Sequence, residues 1–189
     1  LVDALNASME ARDAYTSGHA KRVSEYAMLI AREMGLGGRE IYTIQRGALL
    51  HDVGKVGVSD TVLLKPGKLT PEEREHIEAH PVIGANITAQ VKFDEEIIDM
   101  VRHHHERFDG TGYPDKLKGE DISRNARILA VADALDAMLS DRPYRKGMEV
   151  EKALRLIREA SGTQFDPGVV AALVRAAGGR ALEEVAKPC

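Results

Sequence analysis

The sequence has 189 residues, a hydrophobic fraction of 43%, a charged fraction of 30% and a formal net charge of −4. This composition is typical of one globular domain and excludes a collagen-like or disordered chain. The negative net charge supplies no overall attraction to nucleic acid or to an anionic membrane, and with 4% aromatic residues a nucleic-acid partner is not expected.

The cysteine content bears on the cellular location, and the first residues bear on whether the chain is part of a longer protein. The single cysteine, Cys189, excludes a disulfide framework and a thiolate metal site, so a cytoplasmic location is expected. No apolar run approaches the ~20 residues of a membrane span. The chain begins LVDALNASMEARD, without a Met or a signal peptide, and we expect a fragment of a longer protein.

Helices are predicted along the whole chain, because apolar residues recur at intervals of three and four and period-two runs are missing. In the first clear helix Val23, Ala27, Ile30 and Met34 form one stripe. The predicted helices run from after Thr16-Ser17 to Gly35, then over about 40–53, 70–80, 94–106, 125–140, 149–160 and 167–177. The sequence therefore predicts an all-α protein.

One helix start has several local cues. Thr70 is placed as the N-cap, Pro71 occupies the first helical position and Glu73 completes a capping box. Pro81 is expected to bend or end this helix. Gly54 and Gly57 are expected to interrupt the chain after the second helix.

Several of the seven histidines fall on apolar stripes. His19 lies one turn before Val23, and His51 lies one turn after Ala48, so both are expected to point inward. His104 and Asp133 each follow an apolar residue of their own predicted helix by one turn, and the Asp133 carboxylate is therefore expected to be buried. A carboxylate or imidazole in such a position is costly unless it is hydrogen-bonded, paired or bound to a metal.

A lone histidine on an apolar face is usually a satisfied core residue, but the combined set favours a metal site. Imidazole and carboxylate without thiolate suit iron, manganese and similar divalent ions. In an adjacent His-Asp pair the side chains diverge by ~100°, so one can bind a single ion while the other bridges to a second. Two such ions clamp the oxygens of a phosphoryl displacement, which indicates a phosphodiester substrate. The set comprises His19, His51, Asp52, His80, His104, His105 and Asp133.

Four blocks of sequence closely resemble the HD-GYP family, a branch of the HD phosphohydrolase superfamily. They are HDVGK at 51–55, HHERFDGTGYP at 104–114, LAVADALDAMLSDRPYRK at 129–146 and GTQFDP at 162–167. The resemblance covers nearly the whole chain and implies one domain over 1–189, a compact multi-helix bundle with a metal centre in its core. It also implies hydrolysis of the bacterial second messenger cyclic di-GMP to pGpG or on to GMP, although some relatives act on cyclic GMP-AMP.

The resemblance implies a role for individual residues. The metal ligands would be His19, His51, Asp52, His80, His104, His105 and Asp133, with Asp52 bridging two ions. Lys55 would contact the scissile phosphate, and Arg142 and Arg145 would hold the phosphates of the substrate. Tyr15 stands where some members carry a Glu ligand, so two ions of iron or manganese are expected rather than three.

The mechanism expected from this ligand set uses no protein nucleophile, because no Ser, Cys or Lys is placed for that role. The hypothesis is that a hydroxide bridging the metals attacks the phosphorus, with Asp52 steering it. Lys55 would offset the negative charge that grows on the phosphoryl oxygens.

The loop that follows the consecutive histidines, called the GYP loop below, contains Asp109, Gly110, Gly112, Tyr113 and Pro114. Its glycines permit positive φ and close backbone approach. We expect it to shape the pocket or to dock a partner, since family members are thought to contact diguanylate cyclase (GGDEF) domains through it.

Three residues near these motifs have no firm assignment from the sequence. Glu106 could orient a metal-bound histidine or pair with Arg107 or a lysine. His103 is expected to orient a neighbour or face solvent, and His76 to be exposed.

Two other functions are compatible with these residues. One is another HD-superfamily phosphohydrolase acting on nucleotides, which would not need the GYP loop or the DRPYRK segment. The other is a cyclic-dinucleotide sensor or partner-docking module with structural metals. By resemblance, a regulatory domain would precede Leu1 in the full-length protein.

Overall fold

The computed structural model describes residues 2–12, 18–141 and 146–178. Ten α-helices and two short 3-10 helices account for most of these residues, and no β-strand occurs among them beyond a single bridge between Ser161 and Phe165. The all-α prediction is confirmed. The α-helices are α1 (Val2–Arg12), α2 (His19–Glu33), α3 (Gly38–Leu50), α4 (Asp60–Leu63), α5 (Pro71–Glu78), α6 (His80–Gln90), α7 (Glu95–His103), α8 (Arg124–Leu139), α9 (Val150–Glu159) and α10 (Pro167–Ala177). The 3-10 helices are Val53–Gly57 and Gly119–Asp121.

The main core forms where α2 packs against α3, α8 and α10. Val23, Ala27 and Ile30 of the predicted α2 stripe are fully buried there, as are Ile44 and Ala48 of α3. Burial of apolar area stabilises this arrangement by ~25 cal/mol per Å². A smaller cluster joins α1 to α3 and α7.

The cap predicted for α5 is confirmed atom by atom. The hydroxyl of Thr70 accepts a hydrogen bond from the N–H of Glu73 at 3.3 Å, and Glu73 Oε2 accepts one from the N–H of Thr70 at 2.8 Å. The helix ends at Glu78, and α6 begins at His80 with Pro81 in its first turn, as expected for a proline that stops one helix and starts another.

Several helix boundaries differ from the prediction, and α7 ends at His103 rather than near Glu106. Helix α3 ends at Leu50 rather than near Val53, so His51 and Asp52 lie in a turn before the 3-10 helix. Helix α1 was not predicted, and among its described side chains Val2, Leu5 and Met9 form its apolar face.

Within the described ranges, none of the helices combines the length and the apolar character that a membrane crossing requires.

Candidate metal centre

The His51–Asp52 turn is held between two elements. His51 caps the end of α3, and its Nδ1–H donates to the carbonyl of Ala48 at 2.7 Å. Two residues later Gly54 lies directly on α6, where an added Cβ would be 1.8 Å from the carbonyl oxygen of His80. Only glycine permits this approach, which brings the turn beside the first residue of α6.

A first group of possible ligands comprises His80, His104 and His105, whose ligand atoms lie within 4.8 Å of one another. We call it the imidazole group. The Nδ1–H of His80 donates to the carbonyl of Ile77 at 2.7 Å, and that of His104 donates to the carbonyl of Val101 at 2.8 Å. Both rings are fixed by main-chain carbonyls, so each Nε2 faces the group.

A second group comprises His19, His51 and Asp133, again within 4.8 Å. We call it the acidic group. Asp133 Oδ1 lies 3.4 Å from His19 Nε2 and 3.9 Å from His51 Nε2. Asp133 was expected to be buried, but its side chain keeps 21% of its accessible surface. The acidic group therefore opens toward solvent at this carboxylate.

Asp52 connects the two groups, because each of its carboxylate oxygens faces a different one. Oδ2 lies 3.4 Å from His51 Nε2 and 3.8 Å from His19 Nε2. Oδ1 lies 3.5 Å from His80 Nε2. Burial raises the pKa of Asp52, but the Lys55 ammonium and the nearby imidazoles hold it well below its usual range. The carboxylate is therefore ionised at neutral pH.

The ring nitrogens of the imidazole group fit a cation. The Nε2 atoms of His80 and His104 are 3.3 Å apart, and with both Nδ1 atoms donating, both Nε2 atoms are acceptors in the neutral rings. Burial lowers the pKa of both rings, and it lowers the pKa of His105 to about 4, so sharing a proton is disfavoured. A divalent ion is the partner that this nitrogen and oxygen donor set suits.

Family membership follows from comparison with known proteins. The HD domain family matches residues 4–169 of the chain. This chain is an HD-domain protein. The HD chain is 44% identical over 181 residues to "Cyclic di-GMP phosphodiesterase response regulator RpfG" of Xanthomonas campestris, covering 94% of this chain and 47% of that protein. The family predicted from the motifs is confirmed.

Two further similarities extend this result. The HD chain is 40% identical over 176 residues to "3'3'-cGAMP-specific phosphodiesterase 3" of Vibrio cholerae, covering 93% of this chain and 38% of that protein. The crystal structure of a cyclic GMP-AMP specific phosphodiesterase from Vibrio cholerae superposes with a TM-score of 0.77 at 22% identity, over 100% of this chain and 51% of the other. The superposition confirms the HD fold. The HD chain spans less than half the length of both curated relatives.

Asp136 is a functional candidate of the HD chain that the sequence interpretation did not single out. Its buried carboxylate accepts from the Nδ1–H of His19 at 2.7 Å and from the Nε–H of Arg22 at 2.7 Å. Burial lowers the pKa of His19, but the hydrogen bonds to Asp133 and Asp136 raise it to about 10. The spacing of three residues from Asp133 on α8 is the signal that could have indicated it.

Lys55 lies at the edge of the centre. Its Nζ is 2.7 Å from Asp52 Oδ2, and its side chain is 18% exposed. The structure thus brings Lys55 and all seven predicted ligands together. Arg142 and Arg145, predicted to hold the phosphates, lie outside the described residues, as does Tyr15.

The GYP loop covers the imidazole group of the HD chain. Gly110 has φ +84°, and an added Cβ on Gly112 would be 2.4 Å from the Arg107 nitrogen, so both glycines are required as predicted. The Tyr113 ring lies 5.0 Å from the His105 ring, and the Tyr113–Pro114 peptide bond is cis. Asp109 accepts a hydrogen bond from the N–H of Thr111 at 3.0 Å, which tightens the loop.

The loop is anchored at Asp115, which explains the roles of His103 and Glu106. Arg102 donates to both Asp115 oxygens at 2.6 and 2.9 Å, and His103 bonds to Asp115 at 2.9 Å and to Asp99 at 2.7 Å. Glu106 Oε1 accepts from the N–H of Asp115 at 2.7 Å, so Glu106 supports the loop rather than a metal-binding histidine or Arg107. His76 is exposed, as predicted.

Proposed function

We propose that this HD domain hydrolyses cyclic di-GMP in a metal-dependent reaction. The observation that carries the proposal is the placement of Asp52, which presents one carboxylate oxygen to each of two ligand groups. Such a pair of neighbouring sites suits phosphodiester hydrolysis. The relative from Xanthomonas campestris, named as a cyclic di-GMP phosphodiesterase, supports this substrate.

The proposed centre holds two divalent ions, iron or manganese, with Asp52 as the bridging ligand. A third ion is not proposed, because Tyr15 replaces the Glu that a third site would use. The proposed ligands are His19, His51, Asp52, His80, His104, His105 and Asp133.

Ions bound there would act as Lewis acids on the phosphodiester and lower the pKa of water toward neutrality. The chain itself contributes charge and orientation. The Lys55 ammonium, 2.7 Å from Asp52, stands where it could stabilise negative charge on the phosphoryl oxygens. Asp52, ionised because Lys55 and the imidazoles lower its pKa, could orient the attacking water. Arg142 and Arg145 are proposed to hold the remaining phosphate, and the product is pGpG or GMP.

A second candidate substrate is 3'3'-cyclic GMP-AMP, which the name of the Vibrio cholerae relative supports. A third possibility is a sensor or partner-docking module that binds a cyclic dinucleotide without turnover. The fully assembled ligand groups favour an enzyme over a sensor, because a structural role would not require a lysine ammonium beside the shared carboxylate.

We also propose that this domain, over 1–189, acts within a longer cytoplasmic protein that carries an N-terminal regulatory domain. The greater length of the relatives supports this arrangement. Docking of GGDEF domains is proposed for the loop of Asp109, Gly110, Gly112, Tyr113 and Pro114, which lies beside the centre and is partly exposed except at the buried Gly112.

The test is anion-exchange chromatography of cyclic di-GMP after anaerobic incubation with protein loaded with Fe(II) or Mn(II). We expect pGpG or GMP from the parent and from His76→Ala, whose histidine is exposed and outside both groups. His51→Ala and Asp52→Ala should yield no product while keeping their circular dichroism spectrum.

Each outcome separates the candidate functions. Turnover of 3'3'-cyclic GMP-AMP alone would select the second substrate, and binding without turnover by fully metal-loaded protein would select a sensor. Activity that survives both His51→Ala and Asp52→Ala would overturn the metal assignment. Lys55→Ala should slow turnover with an unchanged metal content.

A further inference from the structure

Arg12, at the end of α1, binds the segment that follows the His51–Asp52 turn. Its Nη1 donates to the carbonyls of Lys55 at 3.1 Å and Val56 at 2.8 Å, and its Nη2 donates to the carbonyl of Val58 at 2.5 Å. Its Nε donates to the Asp60 carboxylate at 2.9 Å. One guanidinium therefore joins α1 to four acceptors that lie 43 to 48 residues later in the chain.

The carbonyls bound by Arg12 lie at the end of the 3-10 helix Val53–Gly57 and just beyond it, where a helix leaves carbonyls open to outside donors. The Lys55 carbonyl also accepts from the N–H of Val58 at 3.0 Å, and Arg12 adds a second donor there. Arg carries five N–H donors in a rigid fork, so it can serve several carbonyls at once, which a Lys ammonium on a flexible stem does less well. The Arg12 side chain is 28% exposed, so water competes only in part for these bonds.

The other side of the same segment has no freedom to adjust. Gly54 is in backbone contact with His80 of α6, where even a methyl group would not fit. On the α1 side, Asn6 and Met9 line a cavity of about 10 Å³ together with Asp52 and Val53. The segment is thus enclosed between a fixed contact with α6 and a polar contact with α1.

We propose that Arg12 is a positioning residue for Lys55. By holding the Lys55 and Val56 carbonyls, it fixes the main chain from which the Lys55 side chain reaches Asp52 Oδ2. This inference rests on the proposed function insofar as Lys55 acts on the phosphate. The structural part of the inference, that Arg12 keeps residues 55–58 ordered, is independent of the proposed function.

The kinetic test uses a double-mutant cycle in the metal-loaded protein with cyclic di-GMP. We expect Arg12→Ala to lower kcat by between ~10-fold and ~100-fold, the range for a reacting group displaced by about 1 Å, with KM and metal content nearly unchanged. In a Lys55→Ala background the same change should have no further effect on kcat. Guanidinium added to Arg12→Ala, or Arg12→Lys, should restore part of the activity.

Two control variants define the contact that matters. Asp60→Asn removes the exposed carboxylate partner but leaves the carbonyl bonds, and we expect its kcat to stay within about twofold of the parent, as for a surface pair of little energetic weight. Arg158→Ala removes an exposed arginine of α9 and should change nothing.

A second measurement keeps the inference testable even if no cyclic dinucleotide is hydrolysed. Amide hydrogen exchange of peptides covering 55–60 should be at least ~10-fold faster in Arg12→Ala than in the parent, while peptides of α6 keep their rate. Inactive parent protein would overturn the proposed function and leave this result to decide the inference. Unchanged exchange, or additive losses of kcat in the cycle, would overturn the positioning role.

Discussion

The acidic and imidazole groups each contain three residues, but they differ in charge and in the helices that carry them. The acidic group contains Asp133, and a second carboxylate, Asp136, lies behind its His19. The imidazole group consists of three rings. Within the described ranges, Asp52 supplies the one carboxylate that lies within 4 Å of a ring nitrogen of this group. Because affinity for a divalent cation rises with ligand charge, an ion bound by the acidic group would be held more tightly than one bound by the imidazole group.

The two groups are also carried by different helices. The acidic group comes from α2, α8 and the end of α3, which share the main core. The imidazole group comes from the start of α6 and the end of α7, under the GYP loop. The relative position of the groups therefore depends on one turn, where Gly54 contacts α6 and Asp52 faces both groups.

The largest effect is expected from Asp52→Ala, which removes the carboxylate that the two groups share. We expect a loss of activity well above the ~100-fold that loss of an outer hydrogen-bond partner of a metal ligand costs. Metal content, measured by mass spectrometry after dialysis, should fall by at least one ion per chain. An Asp52→Ala protein with two retained ions would show that the groups are independent of Asp52.

Gly54→Ala should separate the two groups without changing any ligand. Its Cβ would collide with the His80 carbonyl oxygen at 1.8 Å, so the turn or α6 must move, at a cost of ~1–3 kcal/mol for overpacking. The midpoint temperature of thermal unfolding and kcat should both fall. Gly57→Ala is the control in the same 3-10 helix, because the atoms nearest to its Cβ would belong to the Ile83 side chain, the closest at 2.9 Å, rather than to main chain. Equal losses in both variants would contradict the role given to Gly54.

Asp136→Asn tests the charge difference between the groups. Because Asp136 holds the Nδ1–H of His19, we expect a loss of ~10-fold to ~100-fold in the affinity of the tighter ion. Calorimetric titration with Mn(II) measures both ions. Asp99→Asn is a matched control, since Asp99 also accepts from a histidine Nδ1 at 2.7 Å, but that histidine, His103, belongs to neither group. The idea fails if Asp99→Asn weakens the tighter ion as much as Asp136→Asn does.

The smallest effect concerns Asp115, which anchors the loop over the imidazole group. The hydrogen bonds from Arg102 lower the pKa of Asp115 to about 2 from the usual 3.8. Because the folded-state pKa is the lower one, this contribution to stability is complete above about pH 4 and is lost as the pH falls toward 2. With the carboxylate about a third exposed, solvent screening limits it to less than ~1 kcal/mol.

Urea unfolding of the parent and of Asp115→Asn from pH 6 to pH 2 checks this expectation. The difference in unfolding free energy should shrink between pH 4 and pH 2. A difference that stays constant over that range would show that the Asp115 carboxylate does not titrate with folding.

Helices with a long apolar stripe or a side-chain cap could be predicted from the sequence. Helix α2 follows from the 3.6-residue period of Val23, Ala27 and Ile30, and α5 from its capping box at Thr70, because both signals act between near neighbours in the chain. The end of α3 could not be predicted. His51 and Asp52 leave the helix because Gly54 packs on α6, and that contact joins residues about 26 positions apart.

The residues of the metal centre likewise divide into those that the sequence indicated and those that it did not. The residue types of the seven proposed ligands, together with the resemblance of their motifs, were sufficient to indicate a metal site. Arg12 gave no such signal, and Asp136 gave only its spacing of three residues from Asp133, because an arginine near a chain end and an aspartate on a helix are most simply interpreted as surface charges. Their partners identify them: Asp136 bonds to His19 across 117 positions, and Arg12 bonds to carbonyls 43 to 46 positions away.

By itself the sequence determined an all-α HD domain with nitrogen and oxygen ligands and no thiolate in the motif blocks, because helical period and donor chemistry are properties of the residues themselves. The division of the ligands into an acidic and an imidazole group, with Asp52 between them, follows from the packing of the helices. That arrangement depends on the packing of α2 against α8 and of the His51–Asp52 turn against α6. These contacts bring together groups that are far apart in the chain, and their distances to within an ångström cannot follow from spacing along the sequence.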